Sequence, residues 1–119
     1  MTGITRQLAE FAAGLTYDKL PAGIAARTKL LILDVAGIMV RARHDAESTA
    51  SLVSAVERLG QVAGNCSVLG DGRGYTPMAA ALVNGSLAHS LDFDDTHAEA
   101  SLHSSAPIVP AVLAAAEMT

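Results

Sequence analysis

The hydrophobic positions of this chain fall mostly at helical spacing. Ile4, Leu8, Phe11, Ala12 and Leu15 recur with a period of about 3.6, which predicts an amphipathic helix over residues 4–15. Gly14 lies near its end, and Tyr17–Leu20 leads to Pro21, a residue suited to the start of a helix. A second helix is predicted from Ala22 to Arg43. Between Leu30 and Val40 it is apolar around most of its circumference, broken only by Asp34, so a central, buried position is expected. Asp34 itself is expected to be a structural acid paired with a nearby arginine or backbone group.

Asp45–Leu59 carries a third helical pattern, and Gly60 supplies its stop signal. Residues 61–74 are rich in glycine, with a short apolar pair at Val68 and Leu69, so a loop or short hairpin is expected there. Gly70–Gly74 does not read as a phosphate-cradling loop, because it lacks a Lys-Ser/Thr ending and a strand before it. Thr76 and Pro77 form a cap followed by a first-turn proline, which predicts a helix running to about Leu91. Met78 and Leu82 mark one side of it; Val83, Leu87 and Leu91 mark the other. His89 lies seven residues beyond Leu82 and points the same way. A last helix is predicted from the Ser104-Ser105-Ala106-Pro107 start through Ala111–Met118, with no stop signal to close it. The pattern describes an all-α fold of about five helices with one Gly-rich interruption.

Composition narrows this further. The 119 residues are half apolar yet only 3% aromatic, with no tryptophan. A core of small aliphatic side chains suits closely packed helices better than a β-sandwich. The length fits one domain. The lone Cys66 excludes an internal disulfide and fits a reducing, cytoplasmic setting, and no basic neighbour activates it. The longest apolar runs fall short of the roughly 20 residues that span a bilayer, so no membrane partner is expected. All eight lysines and arginines lie between Arg6 and Arg73, whereas residues 74–119 hold five acids and no fixed positive charge. Nucleic acid is thereby excluded as a partner, and the acidic half could not hold an anionic substrate unaided.

Candidate chemistry concentrates in one block, His89–Ser105, which contains three of the four histidines and four of the twelve acids. Three readings compete. Asp92, Asp94, Asp95 and His97 could bind a metal, but the acidic spacing misses the register of a Mg²⁺-binding pair with a third acid three residues on. Alternatively the block works by acid–base chemistry, with carboxylates orienting imidazoles. Asp92, Thr96, His103 and the Ser104/Ser105 turn then supply an orienter, a hydrogen-bond donor, a proton carrier and a helix start that suits a carboxylate. In the third reading these are capping and loop residues: Asp95 and Thr96 satisfy backbone groups and His97 is solvated.

The run Asn84-Gly85-Ser86-Leu87-Ala88-His89-Ser90-Leu91-Asp92-Phe93-Asp94-Asp95-Thr96-His97 resembles the signature of the MmgE/PrpD family. His103-Ser104-Ser105-Ala106-Pro107 and Pro110-Ala111 continue the likeness. Leu8–Ala12 and Lys29–Gly37 are similar as well, so the resemblance covers nearly the whole chain. The family includes 2-methylcitrate dehydratase, cis-aconitate decarboxylase and iminodisuccinate epimerase. The resemblance implies the N-terminal part of a helical domain, the remainder and a smaller α+β lid lying outside residues 1–119. It further implies action on small di- and tricarboxylates without metal or organic cofactor, by proton transfer at carbon next to a carboxylate. Carried over by position, His103 is the acid–base group or carboxylate contact, Asp92 the orienter and Thr96 a substrate hydrogen-bond donor, with His97, Ser104 and Ser105 as further substrate contacts. Ser104 departs from the family's usual proline after this histidine. The chain is thus expected to be a fragment carrying half a site, inactive alone. The alternative is a catalytically inactive helical interaction module whose uncovered apolar faces favour a homo-oligomer.

Overall fold

Local signals such as the Thr76 cap and the Gly60 stop fix some of the element boundaries in this chain. The computed structural model describes residues 3–119, which divide into two compact units between Leu30 and Leu31. The first holds α1 (Ile4–Gly14), a 3₁₀ turn at Tyr17–Lys19 and the beginning of α2 (Ala22–Asp45). Lys19 Nζ donates to the Gly14 carbonyl at 2.8 Å, satisfying an end of α1. The apolar stripe predicted for α1 is present, but no residue of it is buried, and Phe11 is 68% exposed.

The second unit contains the rest of α2, α3 (Thr49–Arg58), strands β1 (Cys66–Ser67) and β2 (Gly74–Tyr75), α4 (Pro77–His89), a 3₁₀ turn at Ala98–Ala100 and α5 (Ser105–Ala116). The all-α expectation stands, with the Gly-rich stretch resolved as an antiparallel hairpin pairing Cys66 with Tyr75 and Ser67 with Gly74. No described helix is long and apolar enough to cross a membrane.

One expectation fails in α2. It buries a single stripe, Val35, Ile38, Met39 and Ala42, at i, i+3, i+4, i+7 spacing. Leu30, Leu33 and Val40 are exposed, because the elements packed on α2 cover one side only. Asp34 lies on the exposed side, and no ion pair to it is found among the described residues. The third helix also starts later than predicted. Asp45 ends α2, paired with Arg41, and Thr49 opens α3 with its hydroxyl donating to the Ala42 carbonyl at 3.0 Å.

Gly60 stops α3 as expected. Its φ of 69° places it in the left-handed region, where Gln61 N–H reaches the Val56 carbonyl and Gly60 N–H the Glu57 carbonyl, both at 2.9 Å. These are the two bonds of a Schellman motif. The hairpin approaches the following chain so closely that a Cβ at Gly64 would collide with the Tyr75 carbonyl.

The core joins the α2 stripe to Val53, Val56, Val68, Tyr75 and the inner faces of α4 and α5. Small residues dominate: Ala79, Ala80, Ala88, Ala106 and Ala114 are all buried. Cys66 is buried with them, its Sγ 3.6 Å from the Ala114 carbonyl. Two polar groups tie the hairpin in. Asn84 accepts from Leu69 N–H at 2.9 Å and donates to the Ser67 carbonyl at 2.8 Å, pinning the hairpin to α4. Asp71, its side chain only 5% exposed, accepts from Arg73 at 2.7 Å, from Arg43 at 2.9 Å and from the Tyr75 hydroxyl at 2.9 Å. Arg43 belongs to α2, so this carboxylate fastens the hairpin loop to the long helix.

The Arg73 hydrogen bond, aided by Arg43 and Tyr75, outweighs burial and holds the Asp71 carboxyl far below the usual carboxylate range. Burial and the neighbouring Asp71 push the Tyr75 hydroxyl up. A depressed folded-state value means that Asp71 stabilises the fold above the ordinary value of 3.8, and that this stability is lost as pH falls below it. Asp71→Asn is expected to cost about 2 kcal/mol in urea denaturation at neutral pH. The gap between variant and parent should narrow in acid, as the parent's carboxyl takes up its proton. Gly60→Ala, which forces a Cβ into the left-handed region, is expected to cost about 1 kcal/mol in the same assay.

Candidate active site

The polar block begins where α4 ends. Helical geometry ends before Asp92, which has φ 55° and turns the chain back. Aspartate tolerates this conformation better than most residues. The reversal sends Asp94 inward, with none of its side chain exposed, while Phe93 stays on the surface. Asp94 there meets both ends of the block. Nδ1 of His89 lies 3.1 Å from each of its oxygens, and Nδ1 of His103 lies 3.1 Å from Oδ2. The two imidazoles stand edge to face, their centroids 4.9 Å apart.

Asp95 faces the start of α5. Its carboxylate accepts from the Ser105 N–H and the Ser104 hydroxyl, both at 3.1 Å, and so caps a helix that has no side-chain cap of its own. Burial alone would raise its pKa, but the hydrogen bonds from Ser105 and Ser104 win and lower it. The free N–H expected to suit a substrate carboxylate is therefore met by Asp95, and the polar groups of Ser104 and Ser105 are turned to that task. His97 is exposed, and its Nδ1 accepts from Ala100 N–H at 3.2 Å, closing the 3₁₀ turn. Its backbone bridges to Leu102. Thr96 is exposed, and no side-chain hydrogen bond to it is found among the described residues.

Beside the histidines lies a cavity of about 670 Å³ between α4 and α5. Leu82, Gly85 and Pro107 give it an apolar wall, and His89, Ser101 and His103 line its polar end. The Leu82–His89 side of α4 thus faces this cavity, whereas Val83 and Leu87 enter the core. Of the positions favoured from sequence, His103 lines the cavity, Asp92 stands at its histidine cluster and Thr96 does not line it.

One donor atom each from His89, Asp92, Asp94 and His103 falls within 4.8 Å of all the others. Two imidazoles and two carboxylates form a donor set that suits a divalent ion such as zinc. Only Asp92 and Asp94 belong to the four residues for which metal binding was weighed from sequence. Asp95 and His97 are occupied elsewhere. Outside the metal reading the sequence assigned Asp94 no role, yet the structure makes it the hub. The sequence signalled the pairing but not which acid makes it: a block without lysine or arginine leaves histidine as the sole basic partner for any acid it buries.

Residues 6–119 match the MmgE/PrpD N-terminal domain. Over 119 residues the chain is 36% identical to cis-aconitate decarboxylase of Aspergillus terreus, covering 98% of this chain and 24% of that protein. It is 35% identical over 117 residues to the cis-aconitate decarboxylase-like protein oryM of Aspergillus oryzae, covering 97% of this chain and 23% of that one. The chain therefore spans about a quarter of the length of these curated relatives. No solved structure matches it. The family match covers nearly all of the helical chain and all of its histidine-lined cavity, and the chain belongs to the MmgE/PrpD family.

Proposed function

We propose that this chain supplies one wall of the active site of an enzyme that acts on small di- and tricarboxylates by proton transfer at carbon next to a carboxylate, with decarboxylation of cis-aconitate as the first reaction to test. The observation that carries the reading is His103, at the threshold of α5, lining a cavity while its Nδ1 is held by a buried carboxylate. An imidazole fixed through one nitrogen offers the other for proton transfer in a defined direction. In a decarboxylation, the carbon–carbon bond to one carboxylate breaks, CO₂ leaves, and the carbon takes the proton that His103 delivers. Asp92, the orienter that the resemblance implies, brings a carboxylate oxygen within 4.8 Å of a ring nitrogen of each histidine, and Thr96 keeps a hydroxyl available for a substrate oxygen.

The substrate's negative charges need partners that residues 74–119 do not contain, since no lysine or arginine lies there. In this reading, cations from other parts of the enzyme or from a second subunit meet them, and no metal or organic cofactor takes part. A second reading, a non-catalytic helical module that self-associates, draws on the exposure of Met78, Leu82, Ile108 and Val112. Sedimentation over a wide concentration range tests it, and a chain that stays monomeric throughout rules it out.

Turnover separates the two. The chain, and the chain extended to the family's full length, are to be assayed on cis-aconitate, 2-methylcitrate and iminodisuccinate. The extended form is expected to be active on one of them, and His103→Ala to lower its kcat by about 10²–10⁴-fold. Unchanged turnover in His103→Ala would remove His103 from the chemistry.

A further inference from the structure

Asp94 meets two imidazoles through the same ring atom. Nδ1 of His89 and Nδ1 of His103 both lie 3.1 Å from its carboxylate. A carboxylate accepts hydrogen bonds and donates none, so each Nδ1 must carry the hydrogen. Nε2 then becomes the working nitrogen of each ring, as base when the imidazole is neutral and as donor when it is cationic. Both histidines line the cavity, whereas Asp94 is wholly closed off from solvent. The rings meet at 69°, so they do not stack face to face.

We propose that Asp94 is a positioning residue that locks His89 and His103 in the same Nδ1–H tautomer, and that His89 is a second acid–base group working beside His103. This rests on reading the cavity as an active site and extends that reading to a residue with no assigned role. Starting from one neutral and one cationic ring, Nε2 of the neutral ring takes a proton from substrate as Nε2–H of the other gives one. The pair ends with the protons it began with, its charge exchanged between rings. Such a pair serves dehydration or epimerisation, in which one proton leaves the substrate and another enters; in a decarboxylation, where a proton only enters, the ring that delivers it is recharged from solvent.

The chain contains its own standards for testing this. His97 accepts a hydrogen bond at Nδ1 from Ala100 N–H, which requires the opposite, Nε2–H tautomer in its neutral ring. His44 is exposed, with no side-chain partner among the described residues, and reports an unconstrained ring. Long-range ¹⁵N–¹H NMR of the intact chain with neutral imidazoles is expected to show Nδ1–H at His89 and His103 and Nε2–H at His97. In Asp94→Leu, similar in shape but without an acceptor, the first two should lose the Nδ1–H signature while His97 keeps its own. Nε2–H at either ring of the parent chain overturns the proposal, as does zinc found bound through the two Nδ1 atoms. The parent spectrum decides the tautomer even if the variant does not fold.

The role of His89 is read in the active extended form. His89→Asn keeps a donor toward Asp94 but removes Nε2, and is expected to lower kcat about 10²-fold. Unchanged kcat defeats that role. An extended form silent on all three substrates, with the Nδ1–H pattern in place, would sink the proposed activity and leave the tautomer lock standing.

Discussion

The close approach of α4 and α5 is the constraint from which the rest of the site follows. Small residues are buried on both helices, Ala80 and Ala88 on one and Ala106 and Ala114 on the other, and Gly85 faces the Ala106 carbonyl, where an added Cβ would sit at an ordinary contact distance of 3.6 Å. Helices faced with alanine and glycine can approach more closely than helices faced with leucine. Because α4 ends at His89 and α5 begins at Ser105, residues 90–104 must leave one helix and return to its neighbour. Two histidines far apart in sequence are brought together as a result, and a single carboxylate reaches both.

Asp71 and Asp94 both have side chains closed off from solvent and are satisfied in different ways. Asp71 takes two arginines and a tyrosine hydroxyl, fixed positive charge that does not titrate near neutrality. Asp94 takes two imidazoles. The first arrangement suits a fastening that must hold at all times. The second suits a place where charge has to change, because histidine is the side chain that gains and loses a proton near neutral pH. The separation follows the sequence, with every lysine and arginine falling before residue 74.

The helices were largely legible in the sequence because their signals are local. Thr76–Pro77 caps α4, Gly60 closes α3, and the Gly-rich stretch folds as a hairpin. Burial was less legible. The run from Leu30 to Val40 is apolar on all sides, and only packing partners decide which side is covered; the stripe through Val35, Ile38, Met39 and Ala42 is. In the polar block, the motif led to His103, which the structure puts on the cavity. Asp94 could not be singled out from Asp92 and Asp95 by residue type. Its role depends on the left-handed turn at Asp92, which no periodicity announces. Ser104 and Ser105 looked like a vacant helix start, yet a carboxylate ten residues earlier returns to meet it.

Asp94 and Asp95 are neighbours with opposite duties. One aligns the imidazoles, and the other starts α5. Because the two carboxylates serve different partners from adjacent positions, a single residue gained or lost between Asp92 and Asp95 would disturb both sets of contacts. Residues 96–102 are held differently, by the local pairing of His97 with Leu102 and by a short turn. The loop therefore has a stretch whose length is fixed and one whose length is free. Insertions that reshape the rim of the cavity have a place to enter without disturbing the pair of histidines beneath it.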